Sequence, residues 1–290
     1  MAIFVVQTLV MKKTISTLAI AFACVTAVAQ VKMPAPSPVQ TIKQDFGIGS
    51  VELTYSRPAA KGRKVFGDLV PFNKLWRTGA NAATKIVFSD PVEIGGKKLD
   101  SGKYVIYTIP GEESWEVIFN KGLNNWGIDG YKESEDLLRI QVKPFKLSEH
   151  IESFTMQFSD VKAESCELHL MWEKRGISIP ITTSVREKVK AQLEAALQTE
   201  KKPFWQAAQF YNEYEKNLPK ALEYATKATE ANPSAFWIFL YKARIQKEMG
   251  DIKGALESSA KSLELARAAK NDDYAKMNED LQKELNKLNH

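Results

Sequence analysis

The sequence predicts two domains of different class, an all-β antiparallel sandwich or barrel followed by an all-α helical repeat domain. Three observations predict this. Between Thr41 and Thr183 apolar residues recur at every second position, the period of half-buried strands. At Ser184 the period changes, and Val185, Val189, Leu193 and Leu197 follow one another four apart along a helical face. The last third then repeats itself: Ala221 to Glu230 aligns with Ala255 to Glu264 at an offset of 34 residues.

The start of the chain reads as an export signal. Met11 precedes Lys12 and Lys13, an apolar run from Thr14 to Thr26, and the small residues Ala27, Val28 and Ala29 before Gln30. Residues 1–29 are therefore expected to be a signal peptide whose true start is Met11, leaving an exported, periplasmic protein. A rival placement has Cys24, after Ala21, Phe22 and Ala23, as a lipid-anchoring cysteine. The apolar run is too short to span a bilayer, so no transmembrane segment is expected in the mature chain. Cleavage lowers the formal charge from +5 to +3 and leaves Cys166 as the only cysteine. No intrachain disulfide is then available, and stability has to come from burial. Residues 30–38 are proline-rich and read as a leader with little to bury.

Residues 39–183 are assigned to the β domain. Val51, Leu53 and Tyr55 alternate with polar neighbours, as do Trp115, Val117 and Phe119, and Phe154, Met156 and Phe158. Further strands are expected at Ile86–Phe88, Val92–Ile94, Lys103–Ile109, Leu137–Val142, Glu167–Trp172 and Ile177–Ile181, with Gly95 and Gly96 at a hairpin turn. Two segments break the rhythm, around Phe66–Trp76 and at Gly122–Glu135.

The first of these belongs to the stretch from Arg57 to Lys85, which sets seven basic residues against one acid, Asp68. Pro58, Gly62, Gly67, Pro71 and Gly79 interrupt it, so it reads as a long shaped loop on the β scaffold. Outside the cytoplasm nucleic acid is not an expected partner; anionic glycan, phosphate, carboxylate or lipid head groups are. Arg57, Lys61, Arg63 and Arg77 offer guanidinium and ammonium donors to such an anion. Trp76, Trp126 and Asn81 flank them. The competing reading ties Arg57, Arg63, Arg77 and Asn81 to backbone carbonyls and puts the tryptophans in the core.

Other chemistries lack their residues. The three histidines, His150, His169 and His290, have no ligand-pair spacing, so no metal is expected, and no motif calls for a cofactor. Cys166 and His169 lie on opposite faces of one strand, which disfavours a nucleophilic dyad. Neither a phosphate-binding glycine loop nor a serine elbow is present. Carboxylates at Asp90, Glu93, Asp100, Glu112, Glu113, Glu116 and Asp129 leave open a hydrolase that draws an acid from the 90–135 region.

Ser184 followed by Glu187 fits a capping box opening a linking helix, residues 184–202. Residues 203–290 hold the repeats, with Ala221, Ala228, Ala255 and Ser262 at the expected close crossings. Pro233 closes the first repeat, Trp205 and Ala243 match consensus positions, and Arg267 replaces the second repeat's proline. This pattern resembles the tetratricopeptide repeat and implies a protein or peptide partner. The final helix, with Asn278, Glu279, Asp280 and Lys283, reads as a polar cap. Phe236, Trp237, Phe239 and Tyr241 crowd one helix start and cannot all face inward. Phe236, Trp237 and Tyr241 are the candidate partner surface.

YSRP at 55–58, KGRKVFGDLVPFNKLWRTGAN at 61–81, GKYVIYTIPG at 102–111, WEVIFNK at 115–121 and NWGIDGY at 125–131 occur in order. Together they resemble the bacterial domain of unknown function 2911 over most of residues 37–182. The resemblance implies an exported β-rich domain and no established activity. It adds Asn120 to the candidate ligand-binding set of Arg57, Lys61, Arg63, Trp76, Arg77, Asn81 and Trp126. The expected function is a non-catalytic binding module for an anionic or carbohydrate-like envelope ligand, with the hydrolase and a purely structural scaffold as alternatives.

Overall fold

The computed structural model describes residues 33–288. The expected signal peptide, with Met11 and Cys24, and the start of the leader lie outside the described residues. Ten strands come first: β1 (Val39–Phe46), β2 (Gly49–Ser56), β3 (Thr84–Phe88), β4 (Val92–Ile94), β5 (Lys97–Leu99), β6 (Gly102–Ile109), β7 (Trp115–Asn120), β8 (Asp136–Val142), β9 (Pro144–Ser159) and β10 (Ser165–Thr182). They form a six-stranded antiparallel sheet in the order β1-β2-β3-β6-β7-β8 and a four-stranded one in the order β5-β4-β10-β9.

The two sheets pack face to face because each contributes an alternating apolar face. Val51, Leu53, Ile86 and Phe119 of the larger sheet meet Leu168, Leu170, Trp172, Ile177 and Ile179 of the smaller in one buried cluster. β10 doubles back at Glu173, whose φ is 51°. The return is marked by Thr183 N donating to Glu164 O at 3.0 Å, and Ile177, Ile179 and Ile181 thereby share the inner face with Cys166, Leu168 and Leu170.

Two features of the sheets exceed the alternation read from the sequence. β1 is an edge strand with half of its residues exposed and only Phe46 buried, so its apolar signal is weak; it is held by eight pairs with β2, from Val39↔Ser56 to Phe46↔Gly49. The centre of the large sheet is buried on both sides. Val105, Tyr107 and Ile118 face away from the sandwich core, yet none is exposed to solvent, because Leu75, Leu123 and Tyr131 from two loops cover them.

Six helices follow: α1 (Arg186–Ala196), α2 (Phe204–Glu213), α3 (Leu218–Ala231), α4 (Phe236–Glu248), α5 (Ile252–Ala268) and α6 (Asp272–Leu288). The capping box expected at Ser184 does not form. Val185 is the N-cap of α1, and its N–H is taken by Glu164 Oε1 at 2.8 Å, a carboxylate from the β domain doing the work of a local side chain. The repeat offset reappears in the caps: Asn217 accepts from Lys220 N at 3.1 Å at the start of α3, and Asp251 accepts from Gly254 N at 2.9 Å at the start of α5. Ala221, Ala228, Ala255 and Ser262 are all buried between helices. In α6, Asn278 turns inward rather than joining the polar cap face. It is fully buried, and its Nδ2 donates to Ser262 Oγ and Tyr274 O, both at 2.8 Å. Among the described residues no helix is long and apolar enough to cross a membrane.

Candidate functional site

The basic loop between β2 and β3 is built as a plug across one end of the sandwich. Its first residues run along the edge of β9: Phe154 N donates to Pro58 O at 2.8 Å, Ala60 N donates to Glu152 O at 2.8 Å, and Ala59 bridges Ser153. Farther on, Trp76 forms a two-bond bridge to β6, its N–H reaching Thr108 O at 2.7 Å and its carbonyl accepting from Thr108 N at 2.9 Å. The loop thus ties both sheets together. Its turns demand left-handed backbone at Lys61, Asn73, Thr78 and Asn81, with φ of 51°, 58°, 56° and 58°. Asparagine tolerates this region, but a β-branched threonine there is strained. Thr78 is held by burial and by Thr84 Oγ1, which donates to its carbonyl. Gly79, with φ of 145°, passes so close to β2 that a Cβ there would sit 3.0 Å from Ser56 O.

The charged side chains divide into two groups. Arg57 braces the loop on β9, with Nε donating to Phe154 O at 3.2 Å and Nη2 to Thr155 Oγ1 at 2.9 Å. Lys61 is an exposed turn residue whose backbone N–H is held by Glu152 Oε1 at 2.7 Å. Neither lines a cavity with the others. Arg63, Arg77 and Asn81 do converge, together with Trp76 and with Lys74, on a cleft of about 420 Å³. Arg63 is partly committed, since Nε and Nη2 donate to Ala60 O and Ala59 O at 2.9 and 2.8 Å. Arg77 is not: its Nε is buried and has no hydrogen-bond partner among the described residues. Asn81 makes only long bonds, to Ser37 O at 3.4 Å and Ser56 Oγ at 3.5 Å.

The Gly122–Glu135 loop supplies the opposite side. Gly127, with φ of 64°, lies against Arg77, where an added Cβ would come within 3.3 Å of Nη1, and Ile128 reaches the cleft. Asn120 lies beneath this loop rather than in the cleft, fully buried, with Nδ2 donating to Asp136 Oδ1 at 2.7 Å and Lys132 O at 3.1 Å. Trp126 is 65% exposed and does not line the cleft. Trp76 is both wall and core: its ring stacks on Trp172 at 6.1 Å, and Nε1 donates to Gly79 O at 3.1 Å.

Among the described residues no acidic side chain lines the cleft. The carboxylates weighed for hydrolysis lie elsewhere, Asp90 on Lys188 at 2.6 Å and Glu116 on Arg139 at 3.0 Å. A larger and more open depression of about 770 Å³ holds Lys64, Lys146, Lys174 and Arg175, but Glu112 and Glu173 stand among them.

One cluster of metal-ligand type was hidden from sequence spacing. Asp160, from the turn before β10, meets Glu167 and His169 with ligand atoms within 4.8 Å of one another. The histidine and the glutamate are already partnered: His169 Nε2 lies 2.9 Å from Glu167 Oε2, Ser159 Oγ lies 3.0 Å from Nε2 and 3.4 Å from Nδ1, and Ser178 Oγ donates to Glu167. Ser159 Oγ is nearer to the nitrogen that Glu167 holds than to the opposite one, which is not the geometry of a relay through the imidazole.

Cys166 points into the core, 1% exposed, and burial pushes its thiol up to about 11. It should therefore resist a thiol reagent at pH 8 in the native Cys24→Ser variant and react fully once the chain is unfolded in guanidinium. Rapid native labelling would show that the strand opens.

On the helices, Trp237 is 39% exposed, whereas Phe236 is half-buried against Tyr274 with ring centres 4.9 Å apart. Tyr241 packs on Trp205 at 4.8 Å, and its hydroxyl donates to Glu213 Oε1 at 2.9 Å and accepts from Asn212 Nδ2 at 3.0 Å. Burial, with the Glu213 carboxylate beside it, raises its pKa. Of the three, Trp237 is the one that presents a free surface.

A family model described as a protein of unknown function, DUF2911, matches residues 37–181, the whole β domain with its basic loop. No curated protein matches the chain.

Proposed function

The chain belongs to the DUF2911 family of proteins of unknown function, and since membership carries no activity with it, we propose a function from the cleft. The protein is an exported, non-catalytic binding module for an anionic or carbohydrate-like ligand of the cell envelope. Its helices form a tetratricopeptide-like repeat region that engages a protein or peptide. The observation that carries the first part is the cleft's charge: Arg63, Lys74 and Arg77 line it without an acid, and the buried Nε–H of Arg77 lacks an acceptor. An unpaired buried donor costs about 1–3 kcal/mol, more when charged, which a bound anion recovers. The strained Thr78 beside Arg77 supports the same reading, because strain of this kind collects at ligand clamps. Export is supported by the order of residues 11–30, and the repeat reading by the paired caps and buried small residues at an offset of 34.

Calorimetric titration with a panel of inorganic phosphate, a trigalacturonate and an alkyl carboxylate tests it. At least one anion should bind, with affinity reduced about tenfold or more in Arg77→Gln and measurably in the exposed-site variant Lys74→Gln. Failure of every anion to bind, or binding indifferent to both substitutions, would sink the proposal.

A further inference from the structure

The cleft is lined by both cationic and aliphatic side chains, and the combination selects among anions. Resting on the anion-binding reading above, we propose that the ligand is an amphipathic anion, a carboxylate carried on an apolar body, and not a sugar. Apart from Ser37 and Asn81, the polar side chains of the cleft are Arg63, Lys74 and Arg77, which donate hydrogen bonds and accept none. A carboxylate, which only accepts, is complementary to them. A sugar's hydroxyls both donate and accept, and against this wall their donors would go unpaired.

The aromatic rings argue the same way. Sugars pack on open aromatic faces, but Trp76 and Trp172 are 9% and 1% exposed and spend their faces on each other, stacked with an interplanar angle of 20°. Trp126 has an open ring and lies outside the cleft. What the lining adds is aliphatic: Leu75 and Ile128, with Val70, itself only 3% exposed. Leu69 lines the cleft too; it and Ile128 are 41% and 46% exposed, so apolar surface lies beside the cations. A volume of about 420 Å³ is that of a small-molecule site, with room for a short alkyl or aryl chain.

Titration with octanoate, octanol, acetate, inorganic phosphate, maltotriose and trigalacturonate separates the ideas. Octanoate should bind at least about tenfold more tightly than either octanol or acetate, since each lacks one of the two complementary parts. Arg77→Gln should weaken octanoate about tenfold, and Ile128→Ser, at an exposed position, should weaken octanoate while leaving acetate unchanged. Octanoate no tighter than acetate, or displacement of octanoate by maltotriose, overturns the inference. Arg77-dependent binding of phosphate or trigalacturonate without octanoate binding also overturns it while leaving the anion reading intact. Absence of binding by every anion removes both.

Discussion

Trp76→Ala should lower the melting temperature of the β domain by about 10 °C, corresponding to a loss of about 3–5 kcal/mol. The residue sits in a loop, where large effects are uncommon, but its ring is the junction of the sandwich core. It meets Phe154 at 5.1 Å, Trp172 at 6.1 Å, Phe66 at 6.3 Å and Trp115 at 6.4 Å. Removing it leaves a void bordered by four rings that are each fixed by other neighbours, so the site cannot collapse to fill it. The two-bond bridge to Thr108 is made by backbone and remains available to alanine, but it no longer has a buried side chain to anchor it. Trp76→Phe separates packing from hydrogen bonding: it keeps a ring and deletes the Nε1 bond to Gly79 O, and should cost about 1–3 kcal/mol. Differential scanning calorimetry decides the matter. An alanine variant within about 1 kcal/mol of the parent would show that the loop is not part of the core.

The same residue shows how far sequence reading reaches. Alternation located the strands because each inner face is a regular row, and the change of period at Ser184 located the helices. β1 escaped because an edge strand with one half-exposed face carries little pattern. The second apolar face of β6 and β7 escaped for a different reason. Its cover comes from Leu75, Leu123 and Tyr131, isolated residues in loops whose partners are distant in sequence. Charge marked the loop that lines the cleft, but not which of its cations line it. Arg57 and Arg77 look alike in the sequence, yet one lies along β9 and donates to Phe154 O and Thr155 Oγ1, while the other lies against Gly127 with its Nε unpartnered among the described residues. Lys74 carried no signal beyond its charge. The Asp160, Glu167 and His169 cluster forms only because a hairpin turn brings Asp160 back over β10, a closeness that spacing along the chain does not encode.

Asn120 offers the second large effect, and one with a pH signature. It ends β7 at a break in register with β8, fully buried, and its side chain serves three partners. Oδ1 accepts from Gly122 N at 2.7 Å, while Nδ2 donates to Asp136 Oδ1 at 2.7 Å and Lys132 O at 3.1 Å. Those bonds set the exit and return of the loop whose Gly127 and Ile128 close the cleft. Asn120→Ala removes the partner of the half-buried Gly122 N–H, the Lys132 carbonyl and the Asp136 carboxylate and should cost about 3 kcal/mol, together with much of the octanoate affinity. Asn120→Asp keeps the shape but places a carboxylate where a donor faced Asp136. Two carboxylates at that distance cannot both ionise cheaply, so the folded variant holds a proton that the unfolded chain releases. Its folded pKa is raised; the deficit relative to the parent is therefore largest at neutral pH and shrinks as the pH falls toward the ordinary aspartate value of about 4. Urea unfolding of parent and variant at pH 7 and pH 4.5 measures that difference. A deficit that grows on acidification would mean that Asn120 does not donate to Asp136, and an alanine variant as stable as the parent would mean that the loop is held from elsewhere.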